Sequence, residues 1–518
     1  MNKSGLSNVR QMSRSYQRTT GYGTRSGLAL LFFVLFATPL HGQRPISGTH
    51  LIPRATQSSQ PLTKQVRGPF RVGDNLTVPA YSFQLIGGGL YTTTTTCRYV
   101  GDHAYVFVED VIWDGPRVDQ SRLEALGNAF DNATARDPNR GIYDITTELF
   151  GAPPDVDGDP RILIVLLDVL DSPFTGTTVI GYFDTNNQTG QAMREIVYID
   201  VNPLEIGDDL AKATLAHEFQ HMIHWAGDPD EDKWVDEGCA EYAELACGYK
   251  DTTETAGETF LIAPNNSLTI WEDLPFDFDQ TFLFFAYFAQ RFGESGLSAL
   301  VANDTNGIDG VNAILETIGD VRYDELFFDW SAATWFDADG KFGYDRITLG
   351  QVDRDTVSTS KRIVRKARLW GSDYLQLDQP GKYDVTLESL GDNTVVATLM
   401  LSDPDETGQI SIAADPGSQT TASLYTSGLQ AVAVTSTSGT GEDYALSFSP
   451  STLQAGTPQA TDSDRDGDVD FNDFLRFAEH FSTVAGRLGY NPTYDYNTDH
   501  AINFSDFLIF ASHFGKSF

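Results

Sequence analysis

The rhythm of hydrophobic and polar positions changes several times along the chain. Alternation at period two through residues 99 to 110 predicts a strand, and an apolar stripe at helical spacing over residues 119 to 130 predicts an amphipathic helix. The apolar run Ile162–Leu167 and the segment Ile196–Asp200, apolar up to its final aspartate, predict buried strands. Helical patterning then dominates from 208 to about 336, where Phe282, Phe284, Phe285, Tyr287, Phe288 and Phe292 are too dense for anything but a core helix. Between 357 and 450 the chain switches to short alternating runs separated by Gly, Asp and Ser, the pattern of a small all-β sandwich. A polar linker at 451–461 leads to a repeated helical segment over 462–518. The fold expected is therefore multidomain: an α+β domain over 81–350, the sandwich over 357–450, and an all-α C-terminal module.

The start of the chain has a different character. Residues 43–80 are expected to be a flexible N-terminus or a pro-segment, because the first part is rich in Pro, Ser, Thr and Gln without periodicity. Ahead of it, Arg10, Arg14, Arg18 and Arg25 precede an apolar run from 27 to 40, and Gly42 offers a small residue for cleavage. Residues 1–42 thus look like a secretory signal peptide. The run of 14 residues falls short of the ~20 that span a bilayer, so membrane contact is expected only transiently during export. The destination expected is secreted or extracellular, with cell-surface association left open.

Charge narrows the choice of partners. The chain of 518 residues carries 72 acidic and 35 basic side chains, a net −37, and a polyanion would be repelled; nucleic-acid binding is excluded. A hydrophobic share of 41% with 12% aromatics excludes a charged disordered chain. Of the three cysteines, Cys239 and Cys247 sit eight apart in what reads as one helix, about 12 Å along its axis, so any internal bridge must involve Cys97.

The candidate chemistry begins at Ala216-His217-Glu218-Phe219-Gln220-His221, an HExxH pattern. On a helix the i, i+4 spacing puts His217 and His221 on one face to grip a metal, with Glu218 beside the metal-bound water. A catalytic zinc needs a third protein ligand. His224 lies one turn on, about 5 Å further along the axis, too far for a Zn–N bond of ~2.1 Å, and reads as a supporting or core histidine. Glu237, in Trp234-Val-Asp-Glu-Gly, is the better candidate, and Glu241, four residues later on the same face, suits accepting the other ring N–H of a ligating histidine. The run Asp155-Val-Asp157-Gly-Asp159 lacks a closing bidentate carboxylate and reads as a solvated turn.

His217-Glu218-x-x-His221 with Glu237 and Glu241 at this spacing resembles the gluzincin metallopeptidases, and residues 217–225 and 234–242 are similar to secreted bacterial enzymes of the hyicolysin-like kind. The resemblance implies a zincin-like fold for 81–350 and zinc-dependent endopeptidase activity on protein or peptide substrates. It implies Glu218 as general base and a downstream Tyr or His stabilising the oxyanion, for which Tyr287 and Tyr249 are candidates.

A second metal motif closes the chain. Asp462, Asp464, Asp466, Asp468, Asp470 and Asp473 fall at the ligand positions of an EF-hand loop, with Gly467 at the sharp turn and Asp468 contributing its backbone carbonyl. Thirty-three residues on, Asp495, Asn497, Asp499, Ala501, Asn503 and Asp506 repeat it, with His500 in place of the glycine. Fewer carboxylates and no glycine predict a weaker second loop. Each loop opens a helix bearing a matched aromatic stripe, Phe474, Phe477 and Phe481 against Phe507, Phe510 and Phe514, suited to packing on its twin. The loop-then-helix duplication resembles dockerin modules, which implies Ca2+-dependent folding and a cohesin-like partner. Two functions compete on this sequence: a zinc metalloendopeptidase with a calcium module, and a non-catalytic calcium-dependent adhesion or scaffold protein with a degenerate zincin domain. Retention of Glu218 beside intact ligand positions favours the enzyme.

Overall fold

A computed structural model describes residues 45–55, 68–84, 88–171, 178–189, 193–319, 321–402, 409–425 and 428–518; the expected signal peptide over 1–42 lies outside the described residues. Seven strands form one mixed sheet: β1 (Pro45–Ser47), β2 (Asn75–Ser82), β3 (Gly89–Val100), β4 (Ala104–Glu109), β5 (Ile162–Leu167), β6 (Thr178–Phe183) and β7 (Ile196–Asp200), in the order β1-β6-β7-β5-β4-β3-β2. Strands β4, β5 and β7 run parallel, and β6 runs antiparallel to β7. In β5, Ile162, Ile164 and Leu166 face a core built with the helices, while Leu163, Val165 and Leu167 face a second core with Tyr105, Phe107 and Tyr198. Cover on both faces is why this strand is apolar without alternation. Part of the segment expected to be a flexible or pro-segment therefore belongs to the sheet: β1 pairs in parallel with β6, and β2 pairs with β3.

The helices are α1 (Gln120–Asp131), α2 (Ile142–Phe150), the single turn α3 (Asn186–Thr189), α4 (Asp209–Gly227), α5 (Lys233–Cys247), the short α6 (Glu258–Leu261), α7 (Pro275–Phe292), α8 (Glu294–Val301), α9 (Gly307–Ile318) and α10 (Tyr323–Phe336). Asp208 starts α4 by accepting the Ala211 amide at 2.9 Å, an N-cap bond. Gly181 lets α4 approach the sheet: a Cβ there would lie 2.5 Å from Thr214 Cγ2 and 3.2 Å from Glu218 Cγ. Gly238 does the same for α5 against α7, where a Cβ would meet the Phe285 ring at 2.1 Å. The aromatic helix is core as expected, with Phe282, Phe284, Phe285, Tyr287 and Phe288 fully buried. Cys97, Cys239 and Cys247 are each buried and free, so no bridge forms at Cys97. Among the described residues no helix is long and apolar enough to cross a membrane.

Downstream, nine strands build a five-stranded and a four-stranded sheet: β8 (Asp355–Val357), β9 (Ile363–Arg368), β10 (Asp373–Gly381), β11 (Tyr383–Ser389), β12 (Val395–Leu401), β13 (Gln409–Ala414), β14 (Gln419–Ser423), β15 (Leu429–Ser436) and β16 (Gly441–Pro450). Leu375, Val432 and Val434 of one sheet share a core with Val385, Leu387 and Leu446 of the other. After the turn α11 (Pro458–Thr461), where a linker was expected, come α12 (Phe471–Glu479) and α13 (Phe504–His513). Between them lies the antiparallel pair β17 (Thr483–Val484) and β18 (Ala501–Ile502), so this part is not all-α. The two aromatic stripes meet, with Phe477 and Phe510 stacked at 5.8 Å. The pair of helices also leans on its neighbours: Arg465 on Asp384 at 2.6 Å, Tyr425 Oη donating to the Thr493 carbonyl at 2.8 Å, and Arg487 on Glu325.

Two buried carboxylates make the fold pH-sensitive. Asp200, at the end of β7, is 0% exposed, and burial pushes its pKa up to about 8; burial likewise lifts Glu231 to about 7. Both hold protons in the folded state that the unfolded chain releases near pH 4, so the folded state loses stability as pH rises from about 5 to 8. Thermal melts should show Tm falling across this window, and Asp200→Asn should flatten the slope; an unchanged slope would refute the assignment.

Candidate metal centre

Helix α4 carries His217 and His221 on one face, ring centroids 4.8 Å apart, and α5 brings Glu237 against them. Glu237 Oε2 lies 3.2 Å from His217 Nε2 and 3.5 Å from His221 Nε2, and one ligand atom from each residue falls within 4.8 Å of the others. All three side chains are buried. The outward nitrogens are engaged: His217 Nδ1 is 2.9 Å from Glu244 Oε1, and His221 Nδ1 is 2.9 Å from Asp236 Oδ1. With each Nδ1–H given to a carboxylate, both Nε2 atoms would be left facing Glu237 and free for a metal. His221 Nε2 and Glu218 Oε1 are buried with no hydrogen-bond partner, an arrangement costly without a ligand to complete it. Two imidazole nitrogens and one carboxylate oxygen around an open position are the donor set of zinc in hydrolases.

The carboxylate behind His217 is not the expected one. Glu241 Oε1 stands 4.0 Å from His217 Nδ1 and Glu241 ion-pairs with Lys250, while Glu244, seven residues past Glu237, comes under the ring. Glu237, Glu241 and Glu244 share a face of α5, and the crossing of α5 over α4 selects the last of them. Burial would raise Glu244, but Lys250 and His217 hold it below the usual carboxylate range. Asp236 also escaped the sequence reading, although it adjoins Glu237; it serves His224 as well, whose Nδ1 lies 3.2 Å away. His224 stays outside the ligand group.

Glu218 is 0% exposed, and burial pushes its pKa up against the pull of His217 and His221. Its Oε2 accepts the Thr49 hydroxyl at 2.6 Å. Neither tyrosine candidate is placed to serve an oxyanion here. Tyr287 Oη donates to the Lys341 carbonyl at 2.8 Å and accepts from Arg291 at 2.7 Å, and Tyr249 is absent from the lining of the cavity beside Glu218. The Asp155–Asp159 turn is less solvated than expected: Asp157 is 1% exposed and paired with Arg194, and Asp159 accepts the Tyr105 hydroxyl at 2.7 Å.

In the first C-terminal loop, Asp462, Asp464 and Asp473 bring oxygens within 4.8 Å of one another. Asp462 Oδ1 and Asp464 Oδ1 are buried without partners, and Gly467 takes φ +95°. Asp466 and Asp468 lie at the exposed rim, and Asp470 caps α12 by accepting the Asn472 amide. The second loop gathers Asp495, Asp499 and Asp506, with His500 at φ +68° in the glycine position. There Asp495 Oδ2 already accepts the Tyr490 hydroxyl at 2.7 Å and the His500 amide at 2.9 Å. Asn497 accepts the Asp499 amide, Asn503 caps α13, and Ala501 sits in β18. Under the expected calcium reading, calorimetry on the full chain should resolve a tighter site in the first loop, with Asp462→Ala lowering Tm more than Asp495→Ala; equal affinities would contradict it.

No family model matches the chain. It is similar to the neutral metalloprotease ShpI of Staphylococcus hyicus, 26% identical over 222 residues, covering 38% of this chain and 48% of that protein. The chain thus spans about half the length of the curated relative it matches. The similarity supports a metallopeptidase, and with it a metal.

Proposed function

We propose that this protein is an exported zinc-dependent metalloendopeptidase in which His217, His221 and Glu237 hold the metal. The observation that carries the reading is the paired state of the two histidines: each Nδ1 is taken by a carboxylate, and each Nε2 points at Glu237. Bound there, zinc supplies Lewis-acid polarisation of a carbonyl and acidifies water. Glu218 takes the proton of the attacking water and returns it to the leaving amine, and its burial favours a base poised nearer neutrality. Glu244 and Asp236 fix the orientation of the two rings. The first C-terminal loop is proposed as a calcium site, and the second as a weaker one. Helices α12 and α13 expose Phe471 and Leu475, and Phe504 and Leu508, at matched positions, a face suited to a cohesin-like partner.

The test is metal analysis of the purified protein together with hydrolysis of an unfolded casein substrate by protein lacking residues 1–67. One zinc per HExxH site and cleavage abolished by 1,10-phenanthroline are expected; metal-loaded protein of that length that cleaves nothing would refute the proposal.

A further inference from the structure

The segment that follows the expected leader lies in the candidate active site. Strand β1 pairs Ile46 with Val179 and Ser47 with Gly181 along β6, and the Gly48 amide donates to the Gly181 carbonyl at 2.8 Å. The chain then reaches Glu218, Glu237 and Asp236 in turn. Thr49 Oγ1 donates to Glu218 Oε2 at 2.6 Å and accepts the Phe183 amide at 2.8 Å. His50 is enclosed, its side chain 1% exposed, with Nδ1 3.3 Å from Glu237 Oε1 and its ring edge-on to Trp271 and Phe278. Arg54 binds Asp236 at 2.9 Å and the Glu231 carbonyl at 2.7 Å.

A bound substrate would present an extended backbone with a free carbonyl at Glu218. This segment does the opposite. It turns into a 3-10 helix over Thr49–Leu51, in which the Gly48 carbonyl accepts the Leu51 amide and the Thr49 carbonyl accepts the Ile52 amide. What faces the general base is a hydroxyl, which cannot be cleaved. Charge matches as well: residues 45–55 hold no acidic side chain, and the segment's single arginine, Arg54, pairs with Asp236 beside the ligand group.

From this we infer that residues 45–55 are an inhibitory pro-segment, occupying the outer edge of β6 and capping Glu218 and Glu237 through Thr49 and His50. The inference rests on the peptidase reading and adds its regulation: the full-length chain is latent, and removal or displacement of this segment opens the site.

Two full-length variants test it without touching Glu218 or the proposed ligands. Gly48→Leu expels the segment sterically, since even a Cβ at this position lies 2.7 Å from Phe83 and Val179. Thr49→Ala/His50→Ala removes the two contacts and adds no bulk. Both should hydrolyse a casein-derived fluorogenic peptide at least ~10-fold faster than the parent, and a synthetic peptide of residues 44–55 should restore inhibition in trans. A second readout is independent of activity: hydrogen exchange at the Phe183 amide, bonded to Thr49, should accelerate in the zinc-free variants. A parent that hydrolyses as fast as both variants overturns the pro-segment and leaves the peptidase intact, as does faster exchange without faster hydrolysis beside an active parent. Zinc-loaded parent and variants that are all inert overturn the peptidase reading, and the inference with it.

Discussion

Glu218→Gln, placed in a chain freed of its first 55 residues, should retain zinc and lose hydrolysis by about 10²–10⁴-fold, the usual contribution of a positioned general base. Gln keeps the size and one acceptor oxygen of Glu but cannot take a proton from water. The ligand atoms of His217, His221 and Glu237 do not include Glu218, so metal content should not change. The substitution also removes a buried ionisable group, so a modest gain in thermal stability is expected. Near-parental turnover by the zinc-loaded variant would dismiss Glu218 as the base.

The second large effect concerns the metal itself. Glu237→Ala removes an oxygen that stands 3.2 Å and 3.5 Å from the two ring nitrogens, and zinc affinity should drop by more than ~100-fold. Glu244→Ala and Asp236→Ala, which release the rings from behind, should each cost ~10–100-fold. Glu241→Ala should cost less than Glu244→Ala, because its carboxylate is 4.0 Å from His217 and engaged by Lys250. His224→Ala should leave affinity within a few fold. Competition with a fluorescent zinc chelator ranks these variants; an essential His224 beside a dispensable Glu237 would overturn the ligand set.

Local spacing accounts for what the sequence made legible. His217, Glu218 and His221 share one helical turn, and Glu237 lies on the next helix, so the grouping follows from helix geometry and one short connection. The identity of the carboxylate behind His217 depends on how α5 crosses α4. Each helix is seated by a close fit elsewhere, α4 on the sheet at Gly181 and α5 on α7 at Gly238, and no local sequence pattern reveals how the two then cross. Thr49 is 169 residues from Glu218 in sequence, and β1 is only three residues long, so no periodicity announces it. The β part was legible because alternation marks a two-sided sheet, whereas the pairing of β17 with β18 involves only two residues per strand.

The lean of the C-terminal helices on the rest of the chain carries a thermodynamic consequence. Arg465, set between Asp464 and Asp466 in the first loop, is the residue that grips Asp384 on β11, and Arg487 of the same module grips Glu325 on α10. An ion that orders the first loop, as proposed, would therefore also hold the Arg465–Asp384 contact, and its binding free energy would add to the folding free energy. With calcium at one hundred times its dissociation constant, the folded state gains about 2.7 kcal/mol. On the proposed calcium reading, the ambient concentration of the ion sets how long the fold lasts: durable where the ion is plentiful, and open to digestion once it is diluted away.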